Sequence, residues 1–136
     1  MRLVSDTAWA ALTIWQESRG ESYFGKLAVA EVIRNRMQRK YQSDGTVVGT
    51  VLRPYQFGWN TKDHNRVLAA QLDDGDEVVR ECIQAWTEAT TQDSNIALKA
   101  LLYYNPAAVR ETPPWVGACR KVATIGAHHF YVPGAV

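Results

Sequence analysis

The sequence predicts an α+β fold, mainly helical, with a small antiparallel sheet in its C-terminal third. Three observations predict it. Apolar residues recur at i, i+3, i+4, i+7 in Ala8, Ala11, Leu12 and Trp15, and again in Val79, Cys82, Ile83 and Trp86, which is the period of a helix with one buried face. Between them Leu27 to Ala30 is apolar on every side, as in a central helix. Beyond TQDSN (91–95) the pattern shifts to short β-prone runs. A chain of 136 residues with 46% hydrophobic content fits one domain with one core, spanning 1–136.

In chain order, Ser5 or Asp6 can cap the first helix with a short oxygen-bearing side chain. Gly20, able to take positive φ, is expected to end it, which leaves Glu17 in the final turn. A carboxyl is unusual there, because the carbonyl end of a helix repels negative charge. That repulsion, with burial beside aromatic rings, is expected to raise its pKa, as a proton donor near neutral pH requires. The bland alternative is a helix-end carboxylate bonded to Arg19 or a tyrosine. Ser22 opens a second helix that runs to about Lys40, with Val29, Ile33 and Met37 on one stripe. Arg34, Arg36, Arg39 and Lys40 then read as a solvated, dipole-matched helix end.

Thr46 can cap a short helix, Val47 to Leu52. The loop RPYQFGWN follows, offering Tyr55, Gln56, Phe57 and Trp59 either as a platform for sugar faces or as plugs for the core. Asp63 to Leu72 suggests another short helix, and LDDGDE a turn that caps the next one; it lacks calcium-loop spacing. ALLYYNP reads as a short strand ended by a turn, VRETPPWVG as an irregular loop, and KVATIGAHHFYV as two β-runs flanking Gly126. Tyr104 and Asn105 could bond an acetamido group, although Asn-Pro also makes turns. His128, on a strand beside Gly126, is a candidate cleft residue or a satisfied core histidine.

A net charge of +1 gives no general drive toward nucleic acid. No apolar run approaches the roughly 18 residues of a membrane span. The start MRLVSDTAWAALTIW imitates a leader, but Asp6, Glu17 and Arg19 interrupt the pattern, so no signal peptide is expected. Cys82 and Cys119 have no metal spacing and read as small hydrophobes rather than a bridge. His64, His128 and His129 form no metal pair, so no metal or other cofactor is expected. A cysteine peptidase built on Cys119 and His128 lacks a helix N-terminus to activate the thiol.

Four ordered blocks, QESRGESYFGKLAVAEVIRNRM, PYQFGW, YYNP and IGAHHFY, resemble the SleB-type cell-wall hydrolases, a family of spore cortex-lytic enzymes and some phage lysins. The resemblance covers nearly the whole chain. It implies a lysozyme-like fold, peptidoglycan glycan strands as substrate and Glu17 as the catalytic acid. Glu21 would be structural or assist in the cleft, with Gln56, Phe57, Trp59, Tyr104, Asn105 and His128 along it. Gln16 stands where the family usually shows Gly, which bears on substrate preference.

Only Glu21 neighbours Glu17 locally, and Gly20 is expected to break their helical pairing. A one-carboxyl lytic transglycosylase is therefore preferred over a two-carboxyl muramidase. A non-catalytic sugar-binding module is the alternative of a different class. The expected state is a monomer acting in the cell envelope, released from the host cytoplasm by a phage holin.

Overall fold

The computed structural model describes residues 5–53 and 73–134. Among these, four α-helices come first: α1 (Asp6–Ser18), α2 (Tyr23–Arg39), α3 (Val47–Val51) and α4 (Glu77–Thr91). Three strands follow, β1 (Leu102–Tyr104), β2 (Cys119–Ile125) and β3 (His128–Pro133). They form an antiparallel sheet in the order β1-β3-β2, with Gly126 (φ +56°) between β2 and β3. The expected helix over 63–72 lies outside the described residues.

Short polar side chains start the helices where the sequence offers them. Ser5 Oγ accepts from Ala8 N–H, Ser22 Oγ from Gly25 N–H, and Thr46 Oγ1 from Gly49 N–H. The Asp76 carboxylate takes the N–H groups of Val78 and Val79, so the DDGD turn does cap the next helix. One expectation fails: Gly20 does not end α1 with positive φ. Ser18 closes the helix instead, and its carbonyl accepts the Glu21 N–H at 2.9 Å.

Leu12, Ile14, Leu27, Ile33, Val51 and Trp86 make the main core between the helices. The opposite side of α2 meets the sheet through Ala28, Val32 and Phe130. Helix α2 is thus buried all round from Gly25 to Arg36, as its apolar centre foretold.

Its C-terminal half is polar, and this overturns the solvated-end reading for two of the four cations. Arg34 and Arg36 are buried, while Arg39 and Lys40 are exposed. Arg34 donates to the carbonyls of Ala89 (2.8 Å) and Ser94 (2.6 Å) and to Asn35 Oδ1. Asn35 Nδ2 donates to the Ala100 carbonyl at 3.0 Å, and Arg36 Nε to the Leu101 carbonyl at 2.7 Å. Glu31, fully buried, accepts from Ile96 and Ala97 N–H at 3.1 and 2.8 Å. The polar side chains in this half of α2 therefore serve the main chain of the irregular connection between α4 and β1. Exposed side chains could not do this; the connection folded over them.

The sheet is fastened at a second point by Glu21, which stands in the α1–α2 turn. Its Oε1 accepts the Ala127 N–H at 2.8 Å. A Cβ on Gly126 would come within 2.8 Å of that oxygen, so the close approach needs glycine in addition to the turn. His128 is buried behind it, with Nδ1 3.2 Å from the same oxygen but not aligned as a hydrogen bond. Burial lowers the His128 pKa, and the Glu21 charge only partly opposes that shift.

Two outcomes are expected. Glu31→Ala leaves one buried and one partly buried N–H group without an acceptor and should cost about 2 kcal/mol or more, read as a lower urea midpoint. With its pKa depressed, folded His128 binds fewer protons than the unfolded chain below the ordinary histidine pKa of about 6.5. Its contribution is complete above that pH and declines as pH falls toward the folded-state pKa. Urea midpoints at pH 7.5 and 5.5 should therefore differ less in His128→Gln than in the parent.

Candidate functional site

Glu17 lies in the last turn of α1, half-buried, one residue before the helix ends. The Tyr103 hydroxyl, carried across on β1, donates to its Oε1 at 3.2 Å. Tyr103 is held by its neighbours on the sheet: its ring stands edge-on to His128, with centroids 5.2 Å apart, and 5.5 Å from Phe130. Burial, then the Glu17 charge, pushes the Tyr103 phenol well above its ordinary pKa, with Arg36 pulling the other way. The phenol thus keeps its proton and stays a donor.

Arg36 is a cation near this pair. Burial lowers its pKa, while Tyr103, Tyr41 and Glu17 act to raise it. Its position follows from the bond to Leu101, the residue before β1. Glu17 therefore stands between the carbonyl end of its own helix, which disfavours its charge, and a buried guanidinium, which favours it.

Of the two partners considered from the sequence, a tyrosine does bond Glu17, through Tyr103, and Arg19 does not. Its guanidinium lies 4.5 Å over the Trp15 ring and reaches Gln16 Oε1 at 3.4 Å. Gln16 is thereby engaged beside the candidate acid. Glu21 stands beyond the end of α1, so the two carboxyls are not neighbours on one helix; Glu21 faces the β2–β3 turn.

Tyr104 and Asn105 are placed elsewhere. Alternation along β1 turns Tyr104 to the other face of the sheet, where it meets Trp115, His129 and Tyr131 at ring separations of 5.8 to 6.0 Å. Asn105 Oδ1 accepts the Ala107 N–H and caps a short 3-10 turn over Pro106–Ala108, the turn-making role of Asn-Pro. His128 is buried behind Tyr103. Gln56, Phe57 and Trp59 lie outside the described residues. Sequence reasoning missed Tyr103; the YYNP block held it, but selected the adjacent tyrosine.

Neither thiol has the setting of a nucleophile. Burial pushes Cys82 up to about 12 and also raises Cys119, which follows a 3-10 turn rather than opening a helix. No helix among the described residues is long and apolar enough to cross a membrane.

Comparison with known proteins places these features in a family. The profile described as Cell Wall Hydrolase matches residues 20–131. The spore cortex-lytic enzyme of Bacillus subtilis is 27% identical over 126 residues, covering 93% of this chain and 37% of that protein. That of Oceanobacillus iheyensis is 29% identical, covering 93% and 41%. The chain thus spans about two-fifths of the length of these curated relatives. Among solved structures, the catalytic domain of the germination-specific lytic transglycosylase SleB from Bacillus anthracis superposes with a TM-score of 0.71 at 29% identity, over 93% of each chain. The Bacillus cereus SleB catalytic domain gives 0.70 at 27%, over 93% of this chain and 89% of that one. With its lysozyme-like α+β fold shared with the SleB catalytic domains, the chain belongs to the cell wall hydrolase family.

Proposed function

We propose that residues 1–136 form a catalytic unit that cuts peptidoglycan glycan strands at the MurNAc–GlcNAc bond, as a lytic transglycosylase with Glu17 as its single acid. The observation that carries this reading is the likeness, over 93% of each chain, to the solved Bacillus anthracis catalytic domain, and the site adds the bond from Tyr103 to Glu17 across the helix–sheet junction. That bond fixes the orientation of a half-buried carboxyl at a helix end. The solved relative from Bacillus anthracis, named as a lytic transglycosylase, supports the reaction class.

In this reaction the Glu17 proton passes to the bridging oxygen, and the bond from that oxygen to the muramic anomeric carbon breaks. The resulting carboxylate takes the proton of the muramic C6 hydroxyl, whose oxygen attacks the anomeric carbon and closes a 1,6-anhydro ring. One group gives and recovers one proton. Holding the internal nucleophile close replaces the work of a second carboxylate.

Hydrolysis by a muramidase is the second reading. It needs a base or nucleophile facing the acid across the scissile bond. Glu21 is a poor candidate, because its Oε1 is bonded to Ala127 N–H and lies against His128. Site of action follows substrate: the cell envelope. In the phage-lysin version of this reading, a membrane lesion delivers the protein to the wall, and the enzyme added externally would act as an antimicrobial.

Digestion of purified sacculi followed by mass spectrometry should yield anhydro-muramic ends; reducing muramic ends instead would replace transglycosylation by hydrolysis. Glu17→Gln should fold normally and lose turnover by about a thousandfold. Clearing of walls at the parent rate by that variant would remove Glu17 from the mechanism, and wall binding by the parent without any clearing would favour a binding module. Tyr103→Phe keeps the ring contacts but removes the donor. A drop in kcat of about tenfold with a displaced pH-rate profile is expected.

A further inference from the structure

Arg34 is a buried cation with an unusual set of partners. Its four bonds go to two carbonyls and, twice, to the Asn35 amide oxygen, so one of the five guanidinium N–H groups is left over among the described residues. No carboxylate lies within salt-bridge distance of it there. Glu31, three residues earlier, uses its oxygens on Ile96 and Ala97. Buried charges are ordinarily compensated by an opposite charge, because desolvation is costly.

This guanidinium lines two adjoining cavities. The first, about 400 Å³, adds the exposed cations Arg39 and Lys99, the amides of Asn35, Gln38 and Asn95, and one carboxylate, Asp93. The second, about 270 Å³, shares Arg34, Gln38 and Asp93, but its remaining wall is largely apolar, including Met37, Trp86 and Ala89. Neither is lined by Glu17, Glu21 or Tyr103. The reason lies in the helix: residues 34 and 36 are about 200° apart around α2. Arg36 faces β1 and the Glu17 site, whereas Arg34 faces the end of α4.

We propose that these joined cavities are a second wall-binding site, separate from the cutting site, that takes the carboxylate end of a peptidoglycan stem peptide. The carboxylate meets Arg34, Arg39 and Lys99, with the leftover N–H of Arg34 available to it. The amides of Gln38 and Asn95, both exposed, bond the peptide main chain. Alanine methyl groups fit the apolar side by Met37, Trp86 and Ala89. A phosphodiester polymer would match the cations, but would leave the amides and the apolar wall unused. A site on the far side of α2 engages a stem peptide away from the bond being cut. In a cross-linked network this raises the effective concentration of glycan at Glu17 without adding a contact there.

The inference rests on the peptidoglycan reading, yet it fails separately, because the test needs no turnover. The intact protein is titrated with a sugar-free stem tetrapeptide, L-Ala-D-isoGlu-L-Lys-D-Ala, and followed by NMR. Saturable shifts at the amides of Asn35, Gln38, Asn95 and Lys99 are expected. In the Arg39→Glu, Lys99→Glu double variant, with folding checked by its melting curve, affinity should fall by about tenfold or more. The peptide with both carboxylates amidated should also bind at least about tenfold more weakly. Absence of saturable shifts overturns the proposal, as does equal binding of the amidated peptide. Binding of a glycerol-phosphate oligomer at least as tight as that of the peptide also overturns it. The sacculus product assay, run alongside on the parent, reports on the cutting of glycan strands, independently of the peptide titration.

Discussion

The connection between α4 and β1 has little regular structure, and yet it carries the buried residues Ala97, Ala100 and Leu101. Buried peptide groups need partners; the Ala100 and Leu101 N–H groups find theirs on the Ala97 and Tyr131 carbonyls, and other groups of the connection find theirs in side chains. Glu31, Arg34, Asn35 and Arg36 are those partners. A stripe of charged and amide groups inside the fold is tolerated because its members are bonded to the connection, and bonds to ionised groups in a low-dielectric interior are strong. An apolar α2 of the same shape would leave those peptide groups orphaned, so the stripe dictates the path of the chain into β1.

From there the consequences run to the candidate site. The Arg36 bond to the Leu101 carbonyl sits immediately before β1, and two residues later Tyr103 meets Glu17. The opposite corner of the sheet is held by Glu21 on the β2–β3 turn. Lys26, buried, places its amine on the Glu21 carbonyl and pairs with Glu81 of α4 at 3.1 Å. The short segment from Glu17 to Lys26 thus joins α1, α2, α4 and the sheet. That concentration of contacts explains why a displacement of either corner would move the Tyr103 hydroxyl relative to its carboxylate.

Much of this was legible in the chain. Helix starts were, because Ser5, Ser22, Thr46 and Asp76 cap through bonds spanning only two or three residues. The central place of α2 was, because no solvent-facing stripe interrupts Leu27 to Ala30. The faces of β1 were not. Two adjacent tyrosines give period-two reasoning nothing to choose between, and the choice is made by pairing with β3, which sets Tyr103 opposite Phe130. Arg34 and Arg36 were misread for a related reason. Cations in the last turns of a helix suit its dipole whether solvated or buried, and only the later connection decides which. Glu21 hid its partner because Ala127 is 106 residues away.

The surroundings of Glu17 bear on the role proposed for it. A group that gives a proton and then takes one back must reach both states within a turnover, so an environment committed to either would stall one half-step. The carbonyl end of α1 works against the carboxylate, and the buried guanidinium of Arg36 works for it. Tyr103, a donor whose own proton is secured by burial, can bond an oxygen of the carboxylate and equally the carbonyl oxygen of the acid. It therefore orients the group in both states, and because a hydrogen bond to an ionised oxygen is the stronger one, it leans with Arg36 toward the carboxylate. Opposed electrostatic influences around a fixed hydrogen bond are what a single carboxyl needs if it is to serve as acid and base in succession.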